Sequence, residues 1–200
     1  MWMHSMITLS SVLVSVLICF VIGVPLGVLA SYNKWYRDIQ NVVLDAMQTL
    51  PYFCYLIPVL MFFGGNIVSA VIATVIYSVP PIIRLTALGL SQVSGGYSEV
   101  SKSFGGTGIQ TLNKVKFPLA VPSLVMGFNQ TVIMAFAMQI VTPLIGGKGL
   151  GLQVFNALQR SDTGRGLSAG LAIVLLAIII DRITHAWTKK QRQALGLDQS

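Results

Sequence analysis

The feature that most constrains this chain is the return, along its whole length, of long apolar runs separated by short polar segments. The runs fall at about 6–30, 41–63, 67–90, 119–145 and 167–187. A helix needs about 20 apolar residues to cross a hydrocarbon core about 30 Å thick. Inside that core every backbone polar group must be satisfied within the chain, which for runs of this length means helices. The pattern predicts an all-α membrane protein, a single domain over 1–200 built as a polytopic bundle of about five transmembrane helices. Charged residues make up 10% of the chain, against about 25% in soluble domains, so a soluble enzyme or binding module is excluded. The net charge of +7 is scattered between the runs. That leaves no basic face for nucleic acid and makes anionic lipid headgroups the natural counter-charge.

Each run carries its own punctuation. The first has no basic residue before it and no small-residue cleavage site, and reads as a retained helix with Gly23 and Gly27 spaced for close approach of another helix. Ser31 to Gln40, with Lys34, Arg37 and Asp38, reads as a short charged loop. Pro51 and Pro58 predict a bend in the second run, and Gly64-Gly-Asn66 a tight turn that makes the third run its antiparallel neighbour. Asp45 and Arg84 are charges inside apolar runs, and an unpaired charge there is costly, so they are expected to pair. Asn129 lies roughly 16 Å along the fourth run from Pro118, near mid-membrane. With Gln130 and Tyr77 it is a candidate for lining a solute path, the alternative being interhelical hydrogen bonding and packing. Gly146 to Gly151 lacks the ending of a phosphate loop and reads as a turn. Leu150, Val154, Phe155 and Leu158 form a stripe that predicts an interfacial helix over about 150–160. Cys19 and Cys54 lie in apolar runs, and His4 and His185 stand alone, so no catalytic or metal site is expected.

The polar stretch at about 91–118 is different in kind. Tyr97, Val100, Ser101 and Phe104 share one helical face, and Gly105, Gly106 and Gly108 break the helix where the chain must turn. Glu99 is expected in the first turn of that helix, where a carboxylate complements the dipole. A second short helix, Ile109 to Lys116, then leads to Pro118. An amphipathic helix of this kind wants a protein partner, the alternative on periodicity alone being a long cytosolic loop whose amphipathic segment rests on lipid.

The spacing of Glu99-Val-Ser-Lys-Ser-Phe-Gly105 and Val115-Lys-Phe-Pro118 resembles the signature loop of ABC-importer permeases, in which Glu, Gly and Pro match and Val100 and Ser101 replace two alanines. The resemblance implies a coupling helix carried by Glu99, Val100, Ser101, Phe104, Gly105 and Pro118, which docks on a separate ATPase subunit. Leu44-Asp-Ala-Met-Gln-Thr-Leu-Pro51, Tyr55-Leu-Ile-Pro58, Pro80-Pro-Ile-Ile-Arg-Leu-Thr86, Lys114-Val-Lys-Phe-Pro-Leu-Ala120, Asn129-Gln-Thr131 and the Asp181-Arg182 region are similar to the branch for glycine betaine, proline betaine and other quaternary ammonium osmolytes. The resemblance implies a second permease chain, most simply an identical one, an extracytoplasmic substrate-binding protein, and ATP with Mg held by the partner ATPase rather than by this chain. It also implies a bacterial or archaeal cytoplasmic membrane. An importer permease for another small solute such as an amino acid shares the loop signature. A channel or secondary transporter lacks such a loop and usually needs a mid-membrane carboxylate for ion coupling.

Orientation follows from the basic residues. With the loop cytosolic, Lys34, Arg37, Lys102, Lys114, Lys116, Lys189, Lys190 and Arg192 are inside and Lys148, Arg160 and Arg165 outside, as the positive-inside rule requires. The N-terminus is then outside and the C-terminus cytosolic.

Overall fold

The structure, a computed structural model, describes residues 1–93 and 95–194, and the side chains of these except 98, 102 and 187–194. Among the described residues the chain is helical throughout, without a strand. The first apolar run forms α1, Trp2–Tyr32, within which Ser15 and Ser31 donate their hydroxyls to the carbonyls of Ser11 and Val28 at 2.8 and 2.7 Å. Polar atoms satisfied within the helix can face lipid or a neighbour without penalty. Asn33 then caps α2, Lys34–Thr49, by accepting the Trp35 and Tyr36 N–H groups. The expected loop at 31–40 is therefore mostly helix, because one capping side chain suffices to restart it immediately after Tyr32.

The second run is not one gently bent helix. Leu50 is extended (φ −70°, ψ 134°), as a residue before proline prefers. The chain breaks there, and α3, Phe53–Phe63, leaves at 93° to α2. Pro58 sits inside α3 without ending it. The third run forms α4, Ile67–Ser78, and α5, Pro80–Gln92, joined at Val79 ahead of the proline pair and together long and apolar enough for one span. After the polar stretch comes α8, Phe117–Met138. It stops short of the expected 145 because Pro143 has no N–H and its ring excludes the carbonyl of Gln139, so a single 3-10 turn, Thr142–Ile145, follows instead. α9, Leu150–Gln159, and α10, Thr163–Ala194, complete the chain.

Among the described residues, four stretches are long and apolar enough to cross a membrane, and a fifth crossing exists if α2 and α3 count as one broken span. Contacts decide that point. At one end of the bundle the Lys116 ammonium lies 5.5 Å from the Tyr32 ring centre, and Val28 packs with Leu90, Ala120, Leu112 and Phe117. At the other end Thr8 Oγ1 accepts the Leu150 N–H at 2.8 Å, and a Cβ on Gly146 would come within 2.6 Å of the Asn66 nitrogen. Since α2 begins beside Tyr32 and α3 ends beside Gly65, the pair carries the chain from the first end to the second.

The core is the contact of α1, α5 and α8. Gly27 meets α5 so closely that a Cβ would lie 2.6 Å from Thr86 Cβ and 2.7 Å from the Ile83 carbonyl oxygen. The Gly23–Gly27 pair thus serves packing within the chain, the small-residue approach by which membrane helices gain dispersion contact. α10 buries Ala169 and Ile173 but leaves Leu171, Leu175, Ile179 and Ile183 exposed. In α9 the expected stripe is rotated: Leu150 and Ala157 are buried whereas Leu158 is exposed. The Asp162 N–H bonds the Ala157 carbonyl at 2.9 Å and folds α10 back over that side of α9.

Candidate functional site

The polar stretch folds as a helical hairpin at the Tyr32 end of the bundle. Its first arm is α6, Gly95–Ser103. Gly105 takes φ +77°, and the Gly106 N–H reaches back to the Ser101 carbonyl at 2.9 Å, the six-residue closure of a left-handed helix C-cap. No atom lies within 4 Å of a Cβ placed on Gly105, so its backbone angle, not lack of room, selects glycine. Thr107 then caps α7, Gly108–Thr111: its hydroxyl accepts the Gln110 N–H while Gln110 Oε1 accepts the Thr107 N–H at 2.9 Å.

The arms are stapled together. The Thr111 hydroxyl donates to the Thr107 carbonyl at 3.1 Å, so in its 2.8 Å contact with Ser101 Oγ it accepts and Ser101 donates. This corrects the expected helical face. Tyr97, Val100 and Phe104 are exposed, Phe104 at 88%, while Ser101 turns inward to the second arm. Glu99 is exposed but is the fifth residue of α6, beyond the first turn, because the helix starts as early as Gly95. The Ser101–Thr111 staple is a structural contact of the hairpin that periodicity did not supply. Its only sequence trace is two hydroxyl residues flanking the glycine break at matching distance.

The second arm does not end before the membrane run. α7 passes through a π turn, Leu112–Lys116, directly into α8, the Phe117 N–H bonding the Leu112 carbonyl. Pro118 is the second residue of α8. Having no N–H and crowding the carbonyl four residues back, it is accommodated by the wider turn preceding it. The segment Gly108–Met138 is consequently one helical piece from hairpin to membrane.

The remaining sequence candidates divide. Arg84 Nη2 donates to Asp45 Oδ1 at 2.6 Å, joining α5 to α2, with the two side chains 39% and 64% exposed. Tyr77 is half-buried, with its ring edge-on to Tyr55 at 6.3 Å, and the Tyr55 hydroxyl donates to the Met47 carbonyl across the α2–α3 bend. Asn129 is 7% exposed, with Oδ1 lacking a hydrogen-bond partner among the described residues, whereas Gln130 is exposed. The three path candidates therefore occupy different settings. Of the basic residues used for orientation, the side chains of Lys102, Lys189, Lys190 and Arg192 lie outside the described residues.

A polytopic helical bundle that holds out a stapled hairpin with exposed apolar side chains at one end has the architecture of a multi-pass membrane component. The chain belongs to the family of binding-protein-dependent transport system inner membrane components, whose sequence pattern matches residues 23–193. It is 45% identical over 191 residues to the glycine betaine/carnitine transport permease protein GbuB of Listeria monocytogenes, covering 96% of this chain and 68% of that protein. It is 43% identical to the glycine betaine transport system permease protein OpuAB of Bacillus subtilis, covering 92% and 65%. With the glycine betaine/proline betaine permease protein ProW of Escherichia coli it shares 44% identity, covering 96% and 54%. The chain thus spans between about half and two thirds of the length of these relatives. The inward-facing structure of the MetNI methionine ABC transporter superposes with a TM-score of 0.80 at 24% identity, covering 92% of this chain and 93% of that one, a likeness of fold.

Proposed function

We propose that this chain is the permease subunit of an ATP-driven importer for a small quaternary ammonium osmolyte such as glycine betaine or proline betaine. The observation that carries the reading is the hairpin: a rigid, outward-held docking element fused through one helical piece to the membrane core. The named substrates of relatives at 43–45% identity support the solute class. The methionine transporter shares only the fold at 24% identity, so amino-acid import has no comparable support.

In this reading two copies enclose the path, and the hairpins face the cytosol, each seated in a cleft of an ATPase subunit that binds ATP and Mg. The binding protein delivers solute at the opposite end, where Thr8, Asn66 and Leu150 lie. The N-terminus is then outside and the C-terminus cytosolic. Exposed Phe104, Val100 and Tyr97 supply the apolar contact, and Glu99 meets a basic group on the partner. The permease itself does no bond chemistry. It is a bundle with two access states whose balance the ATPases shift through the hairpin.

The test is reconstitution of the chain with its ATPase and binding protein in vesicles. ATP-dependent uptake of labelled glycine betaine or proline betaine is expected. Uptake that proceeds without ATP, or that is confined to an amino acid such as methionine, overturns the reading.

A further inference from the structure

The face of α2 that carries Asp45 is more than one half of an ion pair. Arg37, Asn41 and Asp45 succeed one another at intervals of four residues and form one stripe. Opposite them on α5 stand Arg84, Ala87, Leu88 and Ser91, and the two stripes enclose a groove of about 440 Å³. That size lies within the range of roughly 300–1,000 Å³ typical of small-molecule sites.

We propose that this groove is a binding site for a small zwitterion bearing a carboxylate, with Arg37 taking the carboxylate and Asp45 the cationic end. The inference rests on the proposed function for the identity of the zwitterion and adds where on the permease it is held. Charge counting is the first support. Two guanidinium groups line the groove against one carboxylate. Asp45 is engaged by Arg84 through Oδ1, Arg37 has no ion-pair partner among the described residues, and Arg84 Nε is buried without an acceptor. A guanidinium has five N–H donors, so the groove is short of an acceptor, and a solute carboxylate supplies one.

The second support is the order of the groups. Arg37 and Asp45 are eight residues apart on one helix face, about 12 Å along its axis. The groove therefore has an unpaired positive charge at one end and the Arg84–Asp45 ion pair at the other, where Asp45 Oδ2 is left open to a cationic group. Between the ends, Asn41 offers an amide, while Ala87 and Leu88 offer an apolar wall suited to methyl groups. The Ser91 hydroxyl donates to the Leu88 carbonyl at 2.9 Å and retains its lone pairs. A lone cation is opposed by both Arg37 and Arg84, whereas a zwitterion brings its own carboxylate to Arg37 and offsets the excess positive charge, so the site selects for the carboxylate. Because Asp45 is 64% exposed, it is reachable without breaking the bundle. The groove opens where α5 leaves the membrane for the hairpin, placing bound solute at the exit side of the path.

The test uses the permease–ATPase complex in nanodiscs of phosphatidylglycerol alone, which offer no zwitterionic headgroup. Equilibrium binding of labelled glycine betaine is measured without the binding protein. Saturable binding is expected, weakened about tenfold or more by Arg37→Gln, since a hydrogen bond to a charged group contributes about 1.5–3 kcal/mol. Arg37→Gln is expected to melt like the wild type because it breaks no internal contact. Asp45→Asn is expected to weaken binding too, and choline, which has no carboxylate, to compete poorly. Absence of saturable binding by a complex that still imports glycine betaine with ATP overturns the site while leaving the transport reading intact. Equal competition by choline, or unchanged affinity in Arg37→Gln, also overturns it. So does binding abolished by phosphatidylethanolamine at a headgroup density that leaves transport unaffected, which would identify the groove as a lipid site. Failure of the wild-type complex to import any betaine would instead strike the proposed function.

Discussion

Gly105 illustrates how one residue can be fixed by backbone angle alone. Its φ of +77° closes α6, yet nothing lies within 4 Å of where a side chain would begin. A larger residue is thus admitted by space and opposed by conformation, at about 1–2 kcal/mol for an ordinary L-residue. Asn and Asp tolerate this region better than most, which separates shape from charge. Gly105→Asn is expected to leave uptake close to normal. Gly105→Asp is expected to leave the permease folded and inserted but to uncouple it, because a carboxylate then stands beside exposed Phe104 on the docking surface. ATPase activity, uptake and co-purification of the ATPase in the same preparation check this. Wild-type uptake and assembly in Gly105→Asp would remove the hairpin from its proposed role. The need for glycine at this position was legible in the sequence, as the break in a helical pattern. The inward turn of Ser101 was not, since periodicity assigns residues to faces without saying which face the second arm covers.

Among the elements, the sequence conveyed the long apolar helices and their order far better than their interruptions. Pro51 and Pro58 look alike in sequence, but only the first breaks its helix, because Leu50 leaves the helical region while Pro58 sits within the single unbroken turn pattern of α3. The early start of α2 depends on one Asn33 cap, and the end of α8 at Met138 on Pro143 five residues ahead. Close approach is the other element-scale quantity. At Gly27, α1 and α5 are separated by less than a methyl group requires, and one obstacle is a backbone carbonyl that cannot rotate aside. Gly27→Leu is expected to destabilise the bundle by about 1–3 kcal/mol through overpacking. A lowered melting temperature of the purified permease would show it. As the control, Leu13→Ile on the exposed side of α1 is expected to be neutral.

The whole molecule has two dissimilar ends, and the orientation proposed for it is directly measurable. In a variant with Cys19 and Cys54 replaced, a cysteine introduced at Arg160, in the turn between α9 and α10, is expected to react with an impermeant thiol reagent added to intact cells. One introduced at Val100 is expected to react only after the membrane is opened. The opposite pattern would reverse the topology and with it the side on which the hairpin works. Why the groove between α2 and α5 escaped the sequence reading belongs to this scale as well. The sequence pattern places Arg37 in a loop and Asn41 at a helix start, and only the 93° bend, together with the Asp45–Arg84 pair, sets that stripe against α5.

The unbroken passage from Gly108 to Met138 makes a rod of 31 residues, about 46 Å long at 1.5 Å per residue. Such a rod works as a lever. A tilt of about 10° imposed at the hairpin would sweep the far tip through about 8 Å, more than the pitch of one helical turn. In the proposed function a small rotation at the hairpin reaches the opposite face only as α8 shifts against α5, and the close approach at Gly127, where a Cβ would lie 3.1 Å from Leu85 Cβ, is the contact that such a motion must carry with it.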